Sequence, residues 1–253
     1  MLRSEFKLLL DNTLSPHRFK DYAPNGLQVE GKNRIECVVT GVTACQALID
    51  AAIEYGADAV FVHHGYFWKN EAPEITGMKY RRVAALIKND VNLFAYHLPL
   101  DAHPVYGNNA GLADALNLTA RKPLQLNLPL AESIGLIGEL DQAIEIQAFH
   151  NLVVQAVGRE VLFEAVSDHA IQKVALCTGG AQGYIEQAYE AGADVFITGE
   201  VSEQTIHLAR ELGIHFIAAG HHATERFGAQ SIARLLKSEY GMDAIFIDID
   251  NPA

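Results

Sequence analysis

Positive charge is scarce in this chain. Lys and Arg number 19 against 31 Asp and Glu, which leaves a formal net charge of −12 over 253 residues and a sequence pI ≈ 5.3. Most of such a surface repels an extended phosphate backbone, which argues against duplex nucleic acid as the main partner. A small anionic substrate stays compatible, because a bound metal reverses the local field. Cysteine is scarce too: Cys37, Cys45 and Cys177 lie far apart and form no C-x-x-C pair. This excludes a disulfide framework and points to a reducing compartment, with the three thiols serving as small buried hydrophobes. No apolar run approaches the ~20 residues that span a bilayer. The leucines at positions 8–10 are too short a run for the core of a signal peptide. A soluble, cytoplasmic chain with no membrane partner is expected. Neither a P-loop nor a dinucleotide fingerprint is present, so nothing local fixes a phosphate. Apolar residues make up 49% of the chain, ample for one large domain or two small ones.

The informative stretch is Val60-Phe61-Val62-His63-His64-Gly65-Tyr66-Phe67-Trp68. Strong β-formers bounded by glycine read as a buried strand, so the two histidines sit where it ends. In open α/β sheets that edge is where ligands bind. Successive strand residues face opposite ways, so both rings reach one site only if the strand breaks there, which Gly65 would permit. The alternative is one buried, satisfied histidine beside an exposed one.

The surrounding pattern is strand, helix, strand. Cys37–Thr40 reads as a strand. Ala44, Ala47, Leu48, Ala51, Ala52 and Tyr55 then follow at the spacing of one helical face, Gly56 closes that helix, and Ala59–Val62 is the next strand. The run recurs 136 positions later, where Gln46 matches Gln182 and Gly56-Ala57-Asp58 matches Gly192-Ala193-Asp194. We read an internal duplication. It implies an α/β fold of two similar lobes, residues 1–125 and 126–253, with mostly parallel or mixed sheets under helices.

Polar residues with metal-ligand chemistry collect at further strand ends. Val91–Tyr96 leads into His97-Leu98-Pro99-Leu100-Asp101, and His215–Ala219 leads into Gly220-His221-His222-Ala223-Thr224-Glu225. His221 and Glu225 stand four apart at a helix start, which puts both on one face, and Thr224 reads as a cap. Imidazole mixed with carboxylate suits zinc, iron, manganese, nickel or cobalt rather than calcium or magnesium. The candidates exceed what one tetrahedral site uses, so two divalent ions sharing a carboxylate are expected. His150 and His169 read as solvent-exposed bystanders.

H-H-G after a strand, H-L-P-L-D-A-H-P, T-G-E with His207 downstream, G-H-H-A-T-E and the opening D-Y-A-P-N-G-L-Q-V-E-G occur in the order of one family. The chain resembles the Nif-three-like family, whose members are commonly named GTP cyclohydrolase I type 2 homologues, and within it the bacterial YbgI-like branch. The resemblance implies metal ligands at His63, His64, Asp101, His221 and Glu225, with Glu225 shared between the two ions. His64 and Asp101 would complete one shell, His63 and His221 the other. Interlocking of the two α/β lobes and a homo-oligomer, a hexameric ring with inward-facing sites, are implied as well. Two functions follow as expectations. One is a metal-dependent hydrolase of a small substrate, by family name a purine or damaged nucleotide, in which an ion-activated water attacks a C–N or P–O bond. There His97 and Glu200 are candidate proton-transfer residues or supports for the ligands. The other is a non-catalytic metal-binding scaffold or regulatory protein.

Overall fold

The computed structural model describes residues 1–253. Ten α-helices run in order: α1 Arg3–Leu14, α2 Gln46–Tyr55, α3 Gly77–Lys88, α4 Leu98–Ala102, α5 Asn108–Ala115, α6 Ile146–Val157, α7 Ile185–Glu190, α8 Glu203–Leu212, α9 His221–Thr224 and α10 Arg226–Tyr240. Eleven strands alternate with them: β1 Gly26–Val29, β2 Cys37–Thr43, β3 Ala59–His64, β4 Asn92–Ala95, β5 Thr119–Pro123, β6 Leu136–Ile144, β7 Leu162–Glu164, β8 Ile171–Leu176, β9 Val195–Thr198, β10 His215–Ala218 and β11 Asp243–Phe246. No helix is long and apolar enough to cross a membrane.

Two compact units result. The first comprises residues 1–100 and 228–250, the second 101–227 and 251–253. The boundary expected near residue 125 therefore falls inside the second unit. The reason is sheet pairing, since β5 pairs with β6 and β6 with β8. The C-terminal segment belongs to the first unit because β11 adds to β2 in parallel.

The first unit holds one sheet in the order β1-β4-β3-β2-β11, parallel except where β1 runs against β4. Its central strands are buried on both faces, which explains their unbroken apolar runs. Leu48, Ile49 and Ala52 of α2 pack on the same core. Of the expected face, Ala44, Leu48 and Ala52 are buried, whereas Ala47 and Tyr55 are exposed. Alanine carries little burial energy, so the larger Leu48 and Ile49 set which side turns inward. The chain turn closing α1 is at Ser15, held in the left-handed region at φ 50° just before Pro16.

The second unit holds a six-stranded sheet, β5-β6-β8-β9-β10-β7, in which only β8, β9 and β10 are mutually parallel. Its β8–β9 ladder repeats the β2–β3 ladder at the 136-residue offset: Val38 faces Ala59 and Val39 faces Val60, while Val174 faces Val195 and Ala175 faces Phe196. The match extends to side chains. Asp58 Oδ2 accepts the N–H groups of Glu36 and Cys37 at 2.9 and 3.0 Å, and Asp194 Oδ2 accepts those of Gln172 and Lys173 at 2.9 and 2.7 Å. Each aspartate satisfies backbone donors at the entry of its unit's first matched strand.

Candidate metal centre

In the first unit, β3 carries His63 and His64 to the end of the ladder with β4, where Tyr96 N–H donates to Val62 O. One residue further lies His97. The three imidazoles gather there, with ring centroids 4.5 Å apart for His63 and His64, 5.0 Å for His63 and His97, and 5.7 Å for His64 and His97. One potential ligand atom from each lies within 4.8 Å of the other two. His63 Nδ1 is 3.2 Å from Tyr96 O, a group that can only accept, so Nδ1 holds the proton and Nε2 the lone pair. His97 Nδ1 sits 2.9 Å from Asp21 Oδ1, and His64 Nδ1 sits 3.2 Å from Thr43 Oγ1. Oxygen behind each ring is the arrangement that fixes tautomer and orientation in metal-ligating histidines.

Gly65 has a different role from the one expected. It does not adopt positive φ. Instead a Cβ there would overlap Gln28 Oε1 and Ala95 Cβ, so glycine is required for close approach. Gln28 Oε1 accepts Tyr66 N–H at 2.7 Å, and its Nε2 donates to Tyr66 O at 3.1 Å, which fixes the turn after the histidines.

Asp21 was not foreseen as a site residue. Its carboxylate accepts from Tyr22 N–H, Ala23 N–H, Asn25 Nδ2 and Leu98 N–H besides His97. Burial pushes the acid's pKa up, but the His97 hydrogen bond and charge, the Asn25 amide and the Leu98 N–H outweigh it and bring the pKa down to about 2. Asn25 Oδ1 also accepts His97 N–H at 2.7 Å. In sequence this cluster looked only like turn chemistry around Pro24.

The second unit gathers the acidic candidates. Asp101 is buried, and its Oδ1 accepts from Asn108 Nδ2 at 2.9 Å and Thr178 Oγ1 at 3.2 Å. Asn109 donates to Asp101 O and to Ile134 O, and accepts Thr178 N–H. Glu225, 2% exposed, places Oε1 3.1 Å from His221 Nε2. The other ring nitrogen, Nδ1, lies 2.7 Å from Glu200 Oε1. Burial alone would lower the His221 pKa, yet Glu225 and Glu200 together raise it to about 9. Gly179 makes room: at φ 73° a Cβ there would overlap Glu225 Oε1. Thr224 caps no helix. Its hydroxyl donates to His221 O and accepts Gly179 N–H, tying α9 to that glycine loop. Cys177 is buried near Asp101 and Glu225, with Sγ donating to Ile134 O at 3.0 Å. Burial, then those carboxylates, push its thiol well up, which keeps it protonated in the metal-free protein.

The seven singled-out residues thus fall into two sets: His63, His64 and His97 in one unit, and Asp101, Glu200, His221 and Glu225 in the other. Donor chemistry fits a borderline transition metal, with imidazoles anchored from behind and buried carboxylates. His169 is exposed, as expected; His150 is half-buried and stacks on Phe163 at 5.7 Å. Asp21, Asn25, Asn108, Asn109 and Thr178, which orient the donors, escaped sequence reasoning because short polar residues in loops look alike until their partners are known.

Known proteins resemble this chain along its whole length. The family model Duf34/NIF3 (NGG1p interacting factor 3) matches residues 1–252. The GTP cyclohydrolase 1 type 2 homolog of Haemophilus influenzae is 52% identical over 250 residues, covering 98% of both chains. That of Escherichia coli K12 is 50% identical over 254 residues, covering 100% of both. Among solved structures, protein ybgI, described as of unknown function, superposes with a TM-score of 0.95 at 48% identity over 100% of each chain. The chain belongs to the Duf34/NIF3 family.

Proposed function

We propose that this protein is a hydrolase of a small, nucleotide-like substrate that depends on two divalent transition-metal ions, with His63, His64, Asp101, His221 and Glu225 as ligands. The observation that carries the reading is the group of three imidazoles at the end of β3 and β4, each with Nδ1 against an oxygen. When bound, such ions supply Lewis acidity toward water and toward carbonyl or phosphoryl oxygen. The name shared by the Haemophilus and Escherichia relatives supports a nucleotide as substrate.

The chain's own residues supply orientation and proton handling. His97 is the proton-transfer group. Asp21 holds its ring from behind and balances the positive charge when the far nitrogen takes up a proton. Glu200 holds His221 from its Nδ1 side, so it acts as a positioning residue for that ligand. Asn108 and Thr178 aim the Asp101 carboxylate in the same way.

The test is a reconstitution series with zinc, iron, manganese, nickel and cobalt, followed by a screen of nucleotides and phosphoesters. Turnover that needs metal and stops on chelation is expected. Full metal loading with no turnover across the screen would overturn the hydrolase and leave the scaffold reading.

A further inference from the structure

Beside the three imidazoles the first unit presents two aromatic rings that the metal-binding reading does not use. Trp68 stands with its ring centroid 5.0 Å from His97 at an interplanar angle of 81°, and 5.8 Å from His64. Tyr22 meets His97 edge-on at 5.0 Å and lies 5.7 Å from Trp68, tilted by 37°. Tyr22 is 55% exposed, and Trp68 is half-buried. Two large rings at the mouth of a polar cluster are more than the imidazoles need for support, since oxygen atoms already hold each of them.

The turn that carries Trp68 is built to hold one position. Phe67 sits at φ 65°, a left-handed conformation that bulky residues avoid and that clusters at functional sites. Glu71 Oε2 braces it by accepting the N–H groups of Phe67 and Trp68 at 2.6 and 3.1 Å. Buried Lys79 ties the brace down, 3.3 Å from Glu71 Oε1, donating to Ala72 O and lying 4.9 Å over the Phe67 ring. Trp68 Nε1 donates to Gly65 O at 3.2 Å, so its polar end is engaged inside the turn. Tyr22 is fixed to the same turn, because Lys69 N–H donates to Tyr22 O at 2.8 Å. Its preceding residue, Asp21, is the anchor of His97.

We propose that Tyr22 and Trp68 form a stacking subsite for the planar ring of a nucleobase, placed next to His97. The proposal rests on the hydrolase reading and names the part of the substrate this rim recognises. Every base has a π-face, so stacking gives affinity with little base preference and selects planar rings over saturated ones. Selection against saturated rings is what the rim adds to the histidines.

The chain has a single tryptophan, Trp68, so its emission reports on the subsite without a label. The metal-loaded full-length protein is titrated with guanosine monophosphate, uridine monophosphate and ribose 5-phosphate. Both nucleotides should quench the emission saturably, and ribose 5-phosphate should not. In equilibrium dialysis, Tyr22→Ala should weaken guanosine monophosphate binding roughly tenfold. Tyr22→Phe should restore it, and neither change should alter ribose 5-phosphate binding or metal content. Trp68→Leu should weaken nucleotide binding in the same way, which keeps the test open if Tyr22→Ala misfolds. Absence of quenching by both nucleotides, equal weakening for the sugar phosphate, or unaltered nucleotide binding in both variants would overturn the subsite. Emission that changes on dilution yet ignores nucleotides would overturn it in favour of a second copy of the chain covering the rim. Saturable quenching without turnover would remove the hydrolase and keep the subsite, whereas turnover with wild-type KM in Tyr22→Ala and Trp68→Leu would do the reverse.

Discussion

Asp21 Oδ1 lies 2.9 Å from His97 Nδ1, a buried carboxylate holding a buried imidazole across 76 residues of sequence. This pair joins the loop after α1 to the end of β4 and gives His97 one orientation. It also ties stability to acid.

The Asp21 carboxyl stands at about 2 in the fold against 3.8 for the free group. A depressed pKa stabilises the fold above the unfolded value, and the contribution disappears as pH falls through the folded one. The gain is roughly 2 kcal/mol at neutral pH, lost between about pH 4 and pH 2. Urea unfolding of metal-free wild type and Asp21→Asn should show a stability gap at pH 5 that closes toward pH 2. A gap of constant size would show that the ionised form is not what stabilises.

His221 titrates in the opposite sense. Its pKa, raised to about 9, stabilises the metal-free fold fully below the ordinary 6.5, and that contribution is lost as pH rises through about 9. At pH 7.5 the ring between Glu200 and Glu225 is protonated, so a metal ion taking its nitrogen must displace a proton. Calorimetric metal titrations in buffers of different ionisation enthalpy should therefore show release of about one proton per chain that His221→Gln lacks. Equal release from both proteins would remove His221 from the ligand set.

Gly179→Ala should be costly for two reasons that add. The residue sits at φ 73°, and the new methyl would overlap the Glu225 carboxylate. A loss of about 2 to 3 kcal/mol is expected from backbone strain and displacement of a buried acid, with weaker metal binding alongside it. Thermal melts and metal titration check this together. Wild-type values in both would show that the Glu225 loop yields easily.

His97→Ala separates ligand from proton carrier. If the ring carries protons, turnover should fall by two to four powers of ten, about what a general acid or base contributes, while metal content is retained. Parallel activity assays and metal analysis of the variant check this. Loss of metal along with activity would make His97 a fourth imidazole ligand beside His63, His64 and His221.

Much of this was visible in the sequence, for physical reasons. Strands β2, β3 and β9 are largely apolar because both their faces are buried, and the repeated Gly-Ala-Asp marks the same backbone-satisfying aspartate in each unit. The histidine pairs stood out because two adjacent imidazoles after an apolar run have no packing purpose. The inward face of α2 was placed only in part because a helix rich in alanine has little periodic contrast. Asp21 and Trp68 escaped notice because their meaning lies in partners 76 and 29 residues away at His97, and spacing alone does not reveal such pairs. The C-terminal strand's return to β2 is likewise a long-range pairing without a local signature.

In the proposed two-ion centre, His63, His64, Asp101, His221 and Glu225 would hold the ions and Glu225 would serve both. Metal analysis by mass spectrometry on natively purified protein and on Glu225→Gln, a change that keeps shape and removes the charge, tests it most directly. Up to two transition-metal ions per chain are expected in the wild type, with occupancy of both sites lowered in the variant. Full occupancy in Glu225→Gln would contradict the shared carboxylate.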